Sequence, residues 1–474
     1  MQPPERPLVT AAAVLLLFGS PPEQTGGSVP SNTPGAERVQ PWPENPRYWQ
    51  YKGRPVVLRG GSDDDNLFQW TGARLSQQLD LLAGVGGNYI RNTMSSRDAG
   101  NVWPFERLPD GRFDLERLSA DYYQRFEGLL REAAERAIVV QVELWDRFDF
   151  ARDPWQENPY RPASNVNYTV LESGLADEYP NHPGRNENPF FRTIPGHDHN
   201  RLLLNYQHAQ VDRLLTISLR YDNVLYTMDN ETSATAEWGA YWARYVQQKA
   251  AGAGVSVYVT EMWDVHDLTH EQHRRTLDHP DLYQFADISQ NNHNSGQKHW
   301  EGLQWVRGYT AGRPRPLNHV KIYGADRGPY GTDRDAVERF WRGLLGGAGS
   351  VRFHRPPSGI GLSELAQANL RSAGLLLGAV DLPEGEPDAG SRLLADREPN
   401  EAYVMRRKGR WYAVYFPRPG SVRLDLRAEA GSFRARWLNV LDSRWTPSTA
   451  VTVGGWTDLA PPGDGHWVAV LDRE

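Results

Sequence analysis

A chain of 474 residues is longer than one ordinary core accommodates, so two domains are expected. Its 52 Lys and Arg against 59 Asp and Glu give a formal net charge of −7 with no long single-sign block. That argues against a nucleic-acid partner, because phosphate binding needs a concentrated basic face. The absence of cysteine excludes disulfides, thiolate zinc sites, thiol nucleophiles and a lipid-modified cysteine.

The first expected element is an apolar run at 8–18, behind Arg6. It is too short to span a bilayer comfortably and sits where a signal-peptide core sits, so residues 1–19 read as an export signal or a short anchor. Residues 20–45, rich in Pro, Gly, Ser and Thr, read as a flexible linker. No later segment is apolar enough for stable membrane insertion, and an exported protein (periplasmic, extracellular or cell-surface) is expected.

From residue 46 strand and helix patterns alternate. A strand at 56–60 leads into a polar loop carrying Asp63, Asp64 and Asp65, and Leu75, Leu79 and Leu82 then recur at helical spacing. A second strand at 88–93 is followed by a helix over 121–136 with Tyr122, Phe126, Leu129, Leu130 and Ala133 on one face. Strands three and four are expected at 138–145 and 223–231, and Trp238, Trp242 and Tyr245 give the next helix a core-facing stripe. Four more strands are expected at 255–261, 285–290, 320–324 and 350–354. Eight sequential units, with no Gly-x-Gly-x-x-Gly turn after the first, predict an α/β fold of the (β/α)8 TIM-barrel type over 46–385. The long insertion at 147–200 is loaded with aromatics, which favours an ordered wall of a cleft. Beyond 390 the texture changes to short alternating runs between turn residues, predicting a small antiparallel β-sandwich over 390–474.

In a (β/α)8 barrel the strand C-termini converge on one end, and polar residues close every expected strand here. Arg91 and Asn92 end strand two; Trp145 and Asp146 end strand three; Asp229, Asn230 and Glu231 end strand four. Glu261 and Asp264 follow strand five, and Asn292 and His293 follow strand six. Tyr323 and Asp326 close strand seven, and His354 and Arg355 strand eight. A carboxyl that passes a proton beside an amide that holds a hydroxyl suits glycosidic-bond hydrolysis, which needs two carboxyl groups. The 17 Trp and 21 Tyr agree, since flat apolar rings bind the C–H faces of sugars.

The Asn230–Glu231 pair at strand four, Arg91 on strand two and an acid after strand seven resemble the clan A (β/α)8 glycoside hydrolases, in which a C-terminal sandwich is also common. The resemblance implies that Glu231 is the general acid/base, that Asn230 binds the sugar 2-hydroxyl and that Arg91 supports the nucleophile. It departs at strand seven, where Asp326 stands for the clan's glutamate, and at strand eight, where Phe353-His354-Arg355 replaces a tryptophan. Asp326 and Glu261 both remain candidates for the second carboxylate. Their separation from Glu231 predicts the outcome: about 5 Å for retention, about 6.5–9.5 Å for inversion. Carbohydrate is thus the expected partner, bound through Arg91, Asn92, Trp145, Asp146, Asn230, Asn292, His293, Tyr323, His354 and Arg355, with no metal or cofactor required. Structural alternatives stand beside this reading: Glu231 as a plain ion-pair partner of Arg91, and His197 and His199 in a solvated loop. Two other functions are also open, a non-catalytic carbohydrate-binding barrel and a polysaccharide lyase acting on an anionic glycan, which the basic residues at the strand ends would suit.

Overall fold

The computed structural model describes residues 37–325 and 328–474. The expected export segment, residues 20–36 of the expected linker, and Asp326 lie outside the described residues.

Eight parallel strands form a nearly closed barrel: β1 (Leu58–Gly61), β2 (Tyr89–Thr93), β3 (Val139–Asp146), β4 (Val224–Asn230), β5 (Val259–Thr260), β6 (Ala286–Asp287), β7 (Leu317–Ile322) and β8 (Ser350–Phe353). The lateral order is β5-β4-β3-β2-β1-β8-β7-β6, each neighbour parallel. One longer helix follows each strand: α1 (Ala73–Gly84), α2 (Ala120–Glu135), α3 (Arg201–Ser218), α4 (Ala236–Gly252), α5 (Glu271–Leu277), α6 (Gly296–Tyr309), α7 (Asp333–Leu345) and α8 (Glu364–Leu377). The helical stripe expected on α2 is buried in full, and Ser119 caps the helix by accepting from the Tyr122 amide. Parallel strands covered by helices on their outer face read as apolar runs, which is why β3 and β4 are buried along their whole length.

The bottom of the barrel is closed by a small three-stranded antiparallel sheet of Gln40–Pro41, Trp49–Tyr51 and Arg54–Val56. Trp49 is fully buried against Tyr258 and Phe285, and its indole donates to Asn318 Oδ1 inside the barrel at 2.9 Å. Residues 37–45, the end of the stretch expected as linker, belong to this plug. Arg38 donates to the Leu219 and Tyr221 carbonyls, and Val39 is buried.

The insertion at 147–200 is ordered and turns its aromatics inward. Trp155, Tyr160, Phe190 and Phe191 are buried, and Phe190 packs on Phe150 and on the tryptophans of β3 and α4. Among the described residues no helix is long and apolar enough to cross a membrane.

From Glu386 the chain forms two antiparallel sheets, one of seven strands and one of three. Period-two alternation gives the larger sheet two apolar faces. Val404, Val414 and Phe416 face the smaller sheet across a shared core, whereas Tyr403, Met405 and Tyr415 face the barrel. Tyr415 stacks on Trp341 of α7 at 5.9 Å and Tyr403 lies 4.7 Å from Trp300 of α6, so the sheet caps this flank of the helical ring.

Candidate active site

The site is built around the point where β4 leaves the barrel wall. Glu231 has φ +49°, a left-handed backbone that a side chain rarely adopts without being held there. It is held on both sides. The Asp229 amide donates to Glu261 Oε1 at 3.0 Å; beyond Glu231, the Thr232 amide donates to the Met262 carbonyl and the Asp264 amide to the Thr232 carbonyl. Pairing of β4 with the β5 segment thus resumes as a parallel bridge between Thr232 and Trp263. Glu231 is pushed out of the ladder, and Asp264 is seated beside it.

The Glu231 side chain is 15% exposed, and its Oε1 accepts from Lys321 Nζ at 2.6 Å and from the Tyr323 hydroxyl at 3.1 Å. Lys321 also donates to Asn230 Oδ1 at 2.6 Å. The Asn230 amide in turn donates to Asp146 Oδ1 at 3.1 Å, while Asp146 Oδ2 meets Arg97 at 2.5 Å. Asn230 is therefore fixed in orientation by a cation on one side and an anion on the other.

The two carboxyls at this end of β4 and β5 are driven apart electrostatically. Burial pushes Glu231 up, but the Lys321 charge and hydrogen bond, with Arg91 and His354 farther off, outweigh it and bring Glu231 down to about 2. Asp264 is half-buried; burial first, then the negative charge of Glu231, lift it to about 6 against Lys321 and Arg147. Near pH 5 one carboxyl is charged and its neighbour mostly holds its proton. This is the inverse of what the sequence led us to expect of Glu231, because Lys321 lies 90 positions away in the chain and becomes its partner only when the barrel closes.

A second cluster lies on the β1–β2–β8 side. Asp65 meets Arg91 at 2.8 Å, Arg355 at 3.0 Å, Arg352 at 3.1 Å and His354 Nε2 at 3.5 Å. Burial alone would raise Asp65, but these neighbours hold it well below the usual carboxylate range. Arg91 makes a bidentate pair with Glu143 of β3 at 2.6 and 2.7 Å. Arg91 is therefore engaged by Glu143 and Asp65, and the ion-pair partner of Glu231 is Lys321. The His354 ring lies 5.1 Å from Tyr323, which links this cluster to Glu231. Burial, with Arg91 and Arg352 nearby, lowers His354 well below the ordinary histidine value against the opposing pull of Asp65.

Of the residues expected at the site, the structure gathers Arg91, Asp146, Asn230, Glu231, Tyr323, His354 and Arg355 into one contiguous network. His293 stands at its edge, 5.8 Å from Tyr323 and stacked on His266 at 3.4 Å; burial and His266 lower it to about 4. Asn292 sits behind, accepting from the Tyr323 amide and bonding His319, so it supports Tyr323. Three residues are placed elsewhere. Asn92 is fully buried and accepts from the Phe68 amide. Trp145 is enclosed by Phe190, Trp238 and Trp242. Glu261 is buried behind the wall with Oε1 taken by the Asp229 and Met262 amides, and burial and Asp229 raise its pKa well above the ordinary value. It staples β4 to β5 where Glu231 must be positioned. The residues that sequence reading did not select are Asp65, Lys321 and Asp264, although all three were visible at strand ends.

His197 bonds Thr235, and among the described residues no group of three His, Asp or Glu side chains is placed to hold a metal ion.

No protein-family model matches the chain, and no curated protein matches its sequence. Among solved structures it is similar to a glycoside hydrolase family 5 protein from Bacteroides vulgatus, with a TM-score of 0.63 and 12% identity over 92% of this chain and 94% of that one. It is equally similar to a protein described as a glycoside hydrolase, with a TM-score of 0.63 and 10% identity over 93% and 98% of the two chains. At these identities the likeness is one of fold, and it extends over nearly the whole length of this chain, barrel and C-terminal sheets together.

Proposed function

We propose that the protein is a glycoside hydrolase that cleaves O-glycosidic bonds of a polysaccharide or oligosaccharide with Glu231 and Asp264 as its two carboxyl groups. The observation that carries this reading is the pair itself: adjacent carboxyls at the ends of β4 and β5, one lowered to about 2 and one raised to about 6. Asp264 transfers its proton to the glycosidic oxygen as the bond to the anomeric carbon breaks. Glu231 supplies the negative charge. Lys321 and Tyr323 both hold its Oε1, and Oε2 has no partner among the described residues, so Oε2 meets the anomeric carbon or the attacking water. Asn230, locked between Lys321 and Asp146, presents a fixed amide for a sugar hydroxyl.

In this reading Asp264 takes the place for which Asp326 and Glu261 competed. Glu261 becomes the clamp that positions Glu231. The apolar run at 8–18 supports an exported enzyme acting on glycan outside the cytoplasm. The test is a glycan panel with product analysis. New reducing ends with saturated products support hydrolysis; unsaturated, ultraviolet-absorbing products would reassign the site to a lyase; affinity without turnover at any pH would make it a binding barrel.

A further inference from the structure

We infer, resting on the hydrolase reading above, that Arg147 is a positioning residue that ties the insertion to the exit of β4 and so fixes Asp264 against Glu231. Arg147 is the first residue beyond β3, and its side chain is buried. The guanidinium makes three contacts. Nη1 donates to Thr232 Oγ1 at 3.0 Å, Nη2 donates to Asn186 Oδ1 at 2.6 Å, and the group lies over the Phe191 ring at 4.3 Å. Asn186 and Phe191 belong to the insertion, and Thr232 directly follows Glu231. A planar fork reaches two acceptors and covers an aromatic face at once, which a lysine ammonium does not.

These contacts converge on the backbone that seats the two carboxyls. Thr232 Oγ1 also accepts from the Ala234 amide at 3.0 Å, and the Thr232 carbonyl accepts from the Asp264 amide at 3.0 Å. Asn186 grips the same segment from the insertion. Its Nδ2 donates to the Ser233 carbonyl at 3.1 Å, and its Oδ1 accepts from the Ser233 hydroxyl at 3.2 Å. Asn186 has φ +55° and Glu231 φ +49°, so one clamp holds two residues in the left-handed region. Residues 231–234 are therefore held by backbone bonds from the β5 side and by Arg147 and Asn186 from the insertion side.

Charge gives the clamp a second consequence. Asp229 of β4 and Glu261 and Asp264 beyond β5 bear on Arg147, whose guanidinium keeps its charge when buried. Among the described residues, the charges that bear on Asp264 are Glu231 from β4, which raises it, and Lys321 from β7 and Arg147 from β3, which lower it. Arg275 of α5, packed on the same segment, lies over the Trp263 ring at 5.4 Å. Loss of the Arg147 charge lets Asp264 rise, so its proton is held to higher pH.

The test is the pH dependence of kcat and KM in Arg147→Gln, Arg147→Lys and Asn186→Gly. The last removes the side chain of an exposed residue whose left-handed backbone glycine adopts freely. In Arg147→Gln, kcat is expected to fall by about 10–100-fold with KM little changed, and the alkaline limb to move above its position near pH 6. Arg147→Lys should return the limb to near pH 6 while kcat recovers only in part. Asn186→Gly keeps the Arg147 charge, so the limb should stay in place while kcat falls by at least about threefold. It carries the test if Arg147→Gln fails to fold. Wild-type kcat in Asn186→Gly, or an unmoved limb or wild-type kcat in Arg147→Gln, overturns the inference. A carboxyl 13C titration of Asp264 reads the effect of Arg147 without turnover. A wild type that hydrolyses no glycan sinks the hydrolase reading, and this inference then stands or falls on that titration. Active variants indifferent to all three substitutions sink this inference and leave the hydrolase standing.

Discussion

Replacing Lys321 by methionine is the most revealing perturbation of the site. Lys321 is almost fully buried, and it donates to both Glu231 Oε1 and Asn230 Oδ1. The fall of Glu231 from the 4.5 of an ordinary glutamate to about 2 corresponds to about 3 kcal/mol, at about 1.4 kcal/mol per pH unit. Without the ammonium group the burial effect is left largely unopposed, and Glu231 should titrate above 4.5. The loss of Glu231's charge at pH 4–5 also removes one cause of the elevation of Asp264. The two carboxyls then titrate close together, and the pH range in which one is charged and the other protonated narrows. For the wild type, activity requires ionised Glu231 and protonated Asp264, so kcat/KM should rise through about pH 2 and fall through about pH 6. In Lys321→Met the acid limb should move up by 2 or more pH units and the peak should drop. The sign for stability follows the same logic. Glu231, lowered in the fold, contributes stability above the unfolded value of 4.5 that is lost as pH falls toward 2, and Lys321→Met should erase that acid-side dependence. The assay is the pH dependence of kcat/KM and of the urea midpoint. Because removing one partner of a buried pair costs about 3–5 kcal/mol, Lys321→Arg serves as the folded control that retains the charge. An acid limb unchanged in Lys321→Met would refute the electrostatic account of Glu231.

Asp264→Asn removes the proton donor: kcat should fall by about 10²–10⁴, the alkaline limb near pH 6 should vanish, and aryl glycosides with good leaving groups should lose least. Wild-type rates with a poor leaving group would refute its role as acid. Gly239 of α4 faces the Glu261 staple so closely that a Cβ would lie 2.2 Å from Glu261 Oε2. Gly239→Ala should therefore lower stability by about 1–3 kcal/mol and depress kcat through Glu231, measured by urea unfolding alongside kinetics. An unchanged midpoint would show that the staple yields freely.

Much of this fold is legible in the chain itself, because fully buried parallel strands and amphipathic helices leave strong periodic signals. β2, β3 and β4 lie within a residue of where apolar runs place them. β5 and β6 shrink to two residues each. The alternation of Val255, Val257 and Val259 promises a longer strand, but only Val259–Thr260 finds a ladder partner, on one side. The hairpin Phe105–Arg107 with Phe113–Leu118 was also readable, since Asp110-Gly111 is a hairpin turn signal between alternating apolar residues. The site was legible in its residues and not in their charge states. Strand ends announce Glu231, Asp264 and Lys321, but which cation reaches which carboxylate depends on inward projection across the barrel. Trp145 and Asn92 illustrate the same limit: each ends a strand, yet each side chain leaves the wall away from the cleft, Trp145 into the aromatic packing of the insertion.

The most direct test of the central claim is turnover by Glu231→Gln on whichever glycan the panel selects, read as reducing ends released per enzyme beside a melting curve. The amide keeps the shape of the side chain and abolishes its charge. The account predicts a cooperatively folded protein that still binds the glycan while kcat falls by at least about three orders of magnitude. Turnover within a few-fold of the wild type would contradict it.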